Sequence, residues 1–496
     1  MEECSEARTD NSGVSLPGHV YRQIFGYLSP AELLAVESVN LQWYTVCQWM
    51  WAHTTRLVIP GRVPLKKVAA KLQQCSKQRL CELSVHDYWP SVRSAVSLPL
   101  IGVAAPQLRT LELINCELDV ALLRAIVRCW PMLDRLTLKF VTNSHEQFKE
   151  YPHGPDLDEG LTTVFRQCDR LRHVDLWLDR LPPPSVLKLL NTRHLESLSL
   201  RTHYYRAEFF EDLFDCLCRF TRLRALALRF IFDHHITDWW PEESMLVFLE
   251  KLSRSCTGMQ QLRLNFAEHF SRRTVPLWRF ATGAKFFHET LTAIDLSDNA
   301  GLETQDFQTI GLNCGVRLET LILARCQIGS ELSLAALTNC TALKLLDLTA
   351  VKYYNAPSRT YLPLSNESLL FLHQACPKIQ TLVLNDCVGL ELSHCRFYNI
   401  LLDRAIWGSL RSAVVHGAPV HGMASLLTSL YRVLDSKSVQ QIETHLVLTV
   451  VTDSAIVGEC ALLQRAHGIA SPALRGLSVQ PVSQSLVRIV FAFTSD

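Results

Sequence analysis

The chain has 496 residues, enough to bury a large core and, by length alone, to hold about two to four domains. Charged residues are 20% of the total and the formal net charge is +1, so no global field favours nucleic acid or an anionic membrane. Seventeen cysteines would suit a disulfide scaffold in a short secreted chain, but this chain is too long and too apolar for that class. The thiols are therefore expected to be reduced and the protein cytoplasmic and/or nuclear. Residues 1–13, MEECSEARTDNSG, are polar and acidic with no apolar signal core, and read as a disordered tail. The longest uncharged runs, near 94–108 and 412–431, are broken by Pro, Gly or His and do not read as membrane spans.

Residues 14–55 come next and read as three short amphipathic helices. Leu16, Val20, Ile24 and Leu28 recur at four-residue steps, one face of a helix, and Phe25 widens the stripe. Ser29, Pro30 and Glu32 then supply a capping serine, a proline at the first helical position and a glutamate at the third, a helix-start signal. Leu33, Val36 and Val39 follow at threes, then Trp43, Val46, Trp49 and Trp51. So small a fragment buries little of its surface, and its apolar surplus calls for a partner.

This stretch resembles an F-box, the adaptor-binding module of SCF-type ubiquitin ligases. Leu16, Pro17, Ile24, Phe25, Leu28, Leu33, Val36, Val39 and Trp43 stand at the family's motif positions. Gly18 and His19 replace acidic residues frequent in the family, Tyr21 a usual aliphatic, and Asn40-Leu41-Gln42 a basic run. The resemblance implies that those nine residues form the contact face for a Skp1-like adaptor, or its supporting core, and through it reach a cullin–RING ligase.

A fixed period organises residues 56–395. The pattern L-x-x-L-x-L begins at Leu108, Leu133, Leu171, Leu195, Leu223, Met259, Leu291, Leu318, Leu343 and Ile379, with weaker copies at Leu80 and Leu474. Successive clear copies lie 24 to 38 residues apart. Ten copies in register predict a leucine-rich-repeat solenoid, each unit a strand and a helix stacked on its neighbours. Asn or Cys often closes the strand (Cys116, Asn299, Cys326, Cys387), where the turning backbone needs partners. A second series, Cys168, Cys256, Cys340 and Cys376, precedes the pattern at the end of the repeat helix, with Cys129 and Cys314 one residue further out. No paired metal-ligand spacing is present, and no metal or cofactor is expected. The series resembles the cysteine-containing subtype of leucine-rich repeats, commonly found behind an F-box. The expected fold class is therefore α/β, a three-helix F-box followed by a leucine-rich-repeat horseshoe. Residues 396–496 read as degenerate terminal repeats and a cap, with strands at 446–451 and 486–493 and helices near 398–407 and 457–467.

In such a solenoid the positions between and after the pattern leucines face the concave side. They assemble Lys139, Arg201, Arg229 and Arg263 with Phe140, Trp177, Phe230 and Phe266, a basic and aromatic groove suited to an acidic or phosphorylated protein target of unknown identity. The near-zero net charge argues against RNA. Lengthened connections at 142–160, 233–244, 269–280 and 351–368 carry Trp239, Trp240, Trp278, Tyr353, Tyr354 and Tyr361 as candidate anchors. His234 and His235, with Asp233 and Asp238, are a weak metal signal. No phosphate loop, dinucleotide fingerprint, H-E-x-x-H or nucleophile elbow occurs, so the chain reads as non-catalytic. The expected function is the substrate-recognition subunit of an SCF-type ligase; the alternatives are a non-ligase repeat scaffold or an RNA-binding solenoid.

Overall fold

The computed structural model describes residues 16–61, 63–74, 79–87, 97–116, 118–140, 155–204, 210–232, 242–268, 289–299, 302–355, 360–385, 387, 410, 412–416, 445–451, 474–483 and 486–493. The chain divides into two compact units, Met1–His194 and Leu195–Asp496.

The first unit opens with three helices, α1 (Gly18–Phe25), α2 (Pro30–Val36) and α3 (Leu41–His53). The capping box anticipated for α2 is present: the Glu32 N–H donates to Ser29 Oγ, while the Ser29 N–H donates to the Glu32 carboxylate at 2.7 Å. Asn40 starts α3 in the same way, accepting from the Trp43 N–H at 2.8 Å. These local bonds satisfy N-terminal donors that a helix cannot satisfy itself. Five strands follow: β1 (Arg56–Pro60), β2 (Glu82–His86), β3 (Thr110–Ile114), β4 (Arg135–Lys139) and β5 (His173–Arg180). They are parallel and lie in chain order. Parallel neighbours need long crossovers. Here those are α4 (Leu65–Gln74), α5 (Ser97–Ala104), α6 (Val120–Cys129) and α7 (Pro155–Gln167), with α8 (Pro184–Leu187) after β5. The pattern leucines of each repeat, such as Leu108, Leu111 and Leu113, are buried, each contributing about 1.5–3 kcal/mol. Strand β1 carries no copy of the pattern and was invisible to the repeat search.

The second unit contains β6 (Ser197–Tyr204), α9 (Phe210–Leu217), β7 (Ala225–Phe232), α10 (Glu242–Ser255), β8 (Gln261–Glu268), β9 (Ala293–Asp295), α11 (Thr304–Cys314), β10 (Thr320–Ile322), β11 (Gln327–Ile328), a 3-10 helix (Glu331–Asn339), β12 (Leu345–Asp347), β13 (Lys352–Asn355), β14 (Thr360–Pro363), α12 (Asn366–Ala375) and β15 (Thr381–Val383). The chain continues with β16 (Ser412–His416), β17 (His445–Val451), β18 (Leu474–Ser483) and β19 (Leu486–Phe493). The main sheet runs β6-β7-β8-β9-β10-β12-β15-β16-β17-β19-β18; β11, β13 and β14 form a small second sheet. Pairing is parallel as far as β17, after which β17–β19 and β18–β19 are antiparallel. The late LRGLSV copy at Leu474 is therefore the outer strand of a hairpin, not another parallel repeat. Period-2 leucine spacing is common to both pairings and cannot tell them apart. The tail 1–13 and the expected helices at 398–407 and 457–467 lie outside the described residues.

Repeat strands are eight residues long in β5 to β8 and five or three elsewhere, and the difference decides which side chains face out. After β2, β3, β9, β10 and β12 the backbone turns through a left-handed residue: Asp87 (φ 53°), Asn115 (52°), Asp298 (63°), Arg325 (59°) and Ala350 (52°). After the pattern leucines of β5 to β8 the chain stays extended and each strand spans eight residues. Alternation then turns the second residue past the leucine back inward.

The two columns of thiols and amides join each repeat to the one before it. Cys116 donates to the Val85 carbonyl (3.4 Å), Asn299 to Leu264 (2.8 Å), Cys326 to Leu296 (2.9 Å) and Cys387 to Leu348 (3.2 Å). At the helix ends, Cys168 reaches the Trp130 carbonyl (3.8 Å), Cys256 reaches Phe220 (3.1 Å) and Cys376 reaches Leu337 (3.4 Å). Trp130 takes this role in its own repeat, its indole N–H donating to Ala105 at 2.9 Å. Burial pushes the Cys168, Cys256, Cys314, Cys340 and Cys376 thiols up to about 12, so they are neutral donors rather than reactive thiolates.

Candidate functional site

The three N-terminal helices close around an aromatic cluster. Phe25 meets Trp43 edge-on at 5.3 Å, and Tyr21 contacts both rings at 5.9 and 6.0 Å. Tyr21 and Phe25 lie four residues apart on the inner face of α1, which turns Ile24, about 100° round the helix, away from that core. The nine motif residues accordingly divide. Phe25 and Leu33 are buried and support the module from within; Leu28, Val36 and Trp43 are half-buried; Leu16, Pro17, Ile24 and Val39 are exposed. The exposed set also includes Tyr27 and Leu41, 92% and 80% exposed, which the motif comparison did not single out. Arg22 lies over the Trp49 ring at 4.8 Å, and Trp49 stacks on His53 at 4.2 Å.

The other side of the module is fixed to the first repeat. Trp51 and Cys47 are fully buried, and Lys71 on α4 pairs with Glu37 at 2.8 Å while lying over the Tyr44 ring at 5.7 Å. Burial, with Glu37 nearby, pushes the Cys47 thiol up to about 11.

The sheet face opposite the helices differs from the expected groove. Phe140 and Phe230 are core residues, not anchors. Phe230 lies two residues past an inward leucine within extended β7, so the pleat returns it to the interior, and Phe140, just past the end of β4, donates its backbone N–H to the Trp177 carbonyl at 2.7 Å. Trp177 and Arg201 are half-buried, and the Phe266 side chain lies outside the described residues. The cations are neutralised locally. Lys139 pairs with Asp175 at 3.4 Å, Arg229 with Asp298 at 2.9 Å, and Arg263 with Asp295. Arg325, on the other side of Asp298, binds both carboxylate oxygens, one of them at 2.9 Å. Asp295 also accepts from Ser297 Oγ at 2.6 Å. Spacing of cations alone could not show this pairing, because the carboxylates sit one or two repeats downstream.

In the first unit, Ser84 Oγ lies 2.7 Å from His86 Nε2 and 3.0 Å from Glu112. The carboxylate contacts the serine rather than the second imidazole nitrogen, which is not the relay of a nucleophilic triad. Among the described residues, no group of three or more His, Cys, Asp or Glu is placed to hold a metal ion, and no helix is long and apolar enough to cross a membrane. Tyr354 and Tyr361 face each other across β13 and β14 at 5.5 Å and are exposed, while Tyr353 is half-buried. Trp239, Trp240, Trp278 and the Asp233, His234, His235 and Asp238 cluster lie outside the described residues.

No family profile matches the chain, and no curated protein matches it. Among solved structures, an internalin from Listeria monocytogenes is similar over 82% of this chain and 94% of its own, at 13% identity and a TM-score of 0.35. Yeast Rad7, crystallised with Elc1, is similar over 75% and 88% at 15% identity and a TM-score of 0.46. TLR13 in complex with single-stranded RNA is similar over 74% and 46% at 14% identity and a TM-score of 0.36.

Proposed function

We propose that this chain is a two-ended connector: the substrate-recognition subunit of an SCF-type ubiquitin ligase, holding a Skp1-like adaptor at one end and a protein target on its leucine-rich repeats. The observation that carries the reading is the outer face of the three-helix module. Its aromatic core is already filled by Tyr21, Phe25 and Trp43, yet Ile24, Tyr27, Val39 and Leu41 remain exposed. Ubiquitin transfer would be performed elsewhere in the complex, and this chain would supply proximity and orientation. The test is co-purification with a Skp1-like adaptor, comparing the intact chain with Ile24→Asp plus Leu28→Asp, with thermal melting to check that the repeats stay folded. Failure of the intact chain to bind sinks the reading.

A second reading is supported by Trp51, Cys47 and the Glu37–Lys71 pair: the helices act as the N-terminal cap of a plain repeat scaffold. In that case no adaptor is retained, and the double variant binds the same partners as the intact chain.

A further inference from the structure

Three arginines from three different strands converge on one strand end in the second unit. Arg229 leaves β7, Arg263 leaves β8 and Arg325 follows β10, and all three end on Asp295 or Asp298, at and just beyond the end of β9. The layering is uneven. The side chains of Arg325 and Arg263 are 52% and 42% exposed, whereas those of Asp298 and Asp295 are 11% and 9%. The two carboxylates form the buried layer and the Arg325 and Arg263 guanidinium groups the outer one, so a cluster of three arginines and two aspartates presents its positive side to solvent. A guanidinium has five N–H donors. Arg325 spends Nε and one Nη2 donor on Asp298, so the fork is held in place with donors left over. Holding a fork rigid in advance removes the ordering cost that a free arginine bears on binding.

We infer that this guanidinium layer is a docking site for an acidic polypeptide segment, one whose Asp or Glu carboxylates take the spare donors of Arg325 and Arg263. The inference rests on the protein-binding reading above and names the chemistry of the target. Charge complementarity selects an anion, and the geometry suits carboxylate, the group already bound in forked fashion at Asp298. Asn265 Oδ1 and Arg229 Nε, on paired strands, are buried without partners and out of reach of a ligand, so the donors open to a ligand are those of Arg325 and Arg263. Phe230 is buried and offers no ring for base stacking.

The experiment uses the full chain and a fluorescent oligoglutamate peptide, followed by anisotropy, with oligolysine and oligouridine as the other arms. Oligoglutamate should bind and oligolysine should not. Arg325→Gln and Arg263→Gln should each weaken binding at least about tenfold. Arg325→Lys, which keeps the charge and loses the fork, should fall with Arg325→Gln rather than with the parent. Lys251→Gln, a remote exposed cation paired with Asp215, should bind like the parent. Thermal melting of every variant separates lost binding from lost folding. Tighter binding of oligouridine than of oligoglutamate, full binding by a folded Arg325→Gln chain, or an equal loss in Lys251→Gln would each overturn the inference. Adaptor co-purification reads the N-terminal helices instead. Retained adaptor with no peptide binding refutes this site alone; lost adaptor with intact peptide binding refutes the ligase reading alone.

Discussion

Arg325 closes a two-pronged hydrogen bond on Asp298, and both residues hold the left-handed turn conformation of consecutive repeats. The same positions are linked in the first unit, where Asn115 Nδ2 donates to Asp87 at 2.9 Å. The conformation is disfavoured for side chains other than Asn and Asp, and the cross-repeat bond helps to hold it. Asp298 additionally receives Arg229, which makes it the hub of the face.

Asp298→Asn keeps a residue tolerant of the left-handed turn but removes the charge shared by the two arginines. The expected loss is about 1–3 kcal/mol, read as a lower urea midpoint with unchanged slope. Asp298→Val should lose about 1–2 kcal/mol more, because a β-branched residue is strained there.

Phe230→Ala separates a core residue from a surface anchor. Its ring is fully buried, so truncation should cost about 3–5 kcal/mol, measured by denaturant unfolding. A change in partner binding without a change in stability would contradict its placement.

Asp306 is buried at the first turn of α11, its carboxylate accepting from the Glu303 N–H at 2.7 Å and its Oδ1 meeting no donor. Burial raises it from 3.8 to about 6, against the Glu303 N–H, which holds it down, and with a smaller push from the Glu303 charge. An acid raised on folding holds its proton more tightly in the folded state. Its contribution is whole below pH 3.8 and is lost as pH rises through about 6. Asp306→Asn should therefore be more stable than the parent at pH 7, by about 1–3 kcal/mol, with the advantage gone near pH 4. Equal stability at pH 7 would refute the assignment.

The buried thiols shift in the same direction and act at higher pH. From 9.0 to about 12, the folded chain keeps protons on Cys168, Cys256, Cys314, Cys340 and Cys376 that the unfolded chain has lost. Stability from this source is intact below pH 9 and declines above it, by up to about 1.4 kcal/mol per pH unit for each thiol. Urea titrations at stepped pH read the slope. Alkylation followed by peptide mass spectrometry at pH 8 should leave these five unmodified until the chain unfolds.

A chain starting at Arg56 keeps β1 but lacks Trp51, Cys47 and the Glu37 partner of Lys71. It should melt below the full chain, since Trp51 alone has the burial of a side chain whose loss costs about 3–5 kcal/mol. An unchanged melting temperature would show that the first repeat does not depend on the helices.

The repeat frame was legible in the sequence because the inward leucines recur with a fixed spacing and each is buried where that spacing puts it. Capping at Ser29 was legible for a similar reason, since the whole interaction spans four residues. The sheet face was not. Whether the residue after Leu228 and Arg229 points in or out depends on whether the chain turns left-handed there, and Phe230 looks no different in sequence from Asp298. Nor could spacing reveal that Arg229 meets a carboxylate two strands away. Helix periodicity grouped Ile24 with Val20 and Leu28, whereas Tyr21 and Phe25 take the inner face of α1 and leave Ile24 exposed.

The backward-reaching side chains give the stack a direction in time. Cys116, Asn299, Cys326 and Cys387 each donate to a carbonyl that belongs to earlier residues, as do Cys168, Cys256 and Cys376. During synthesis the acceptor always leaves the ribosome before the donor that needs it. At these bonds a nascent repeat finds its acceptor already in place, and a chain interrupted before Cys326 leaves the Leu296 carbonyl to water. Erosion from the other end is costlier, because it strands buried amide and thiol donors facing nothing.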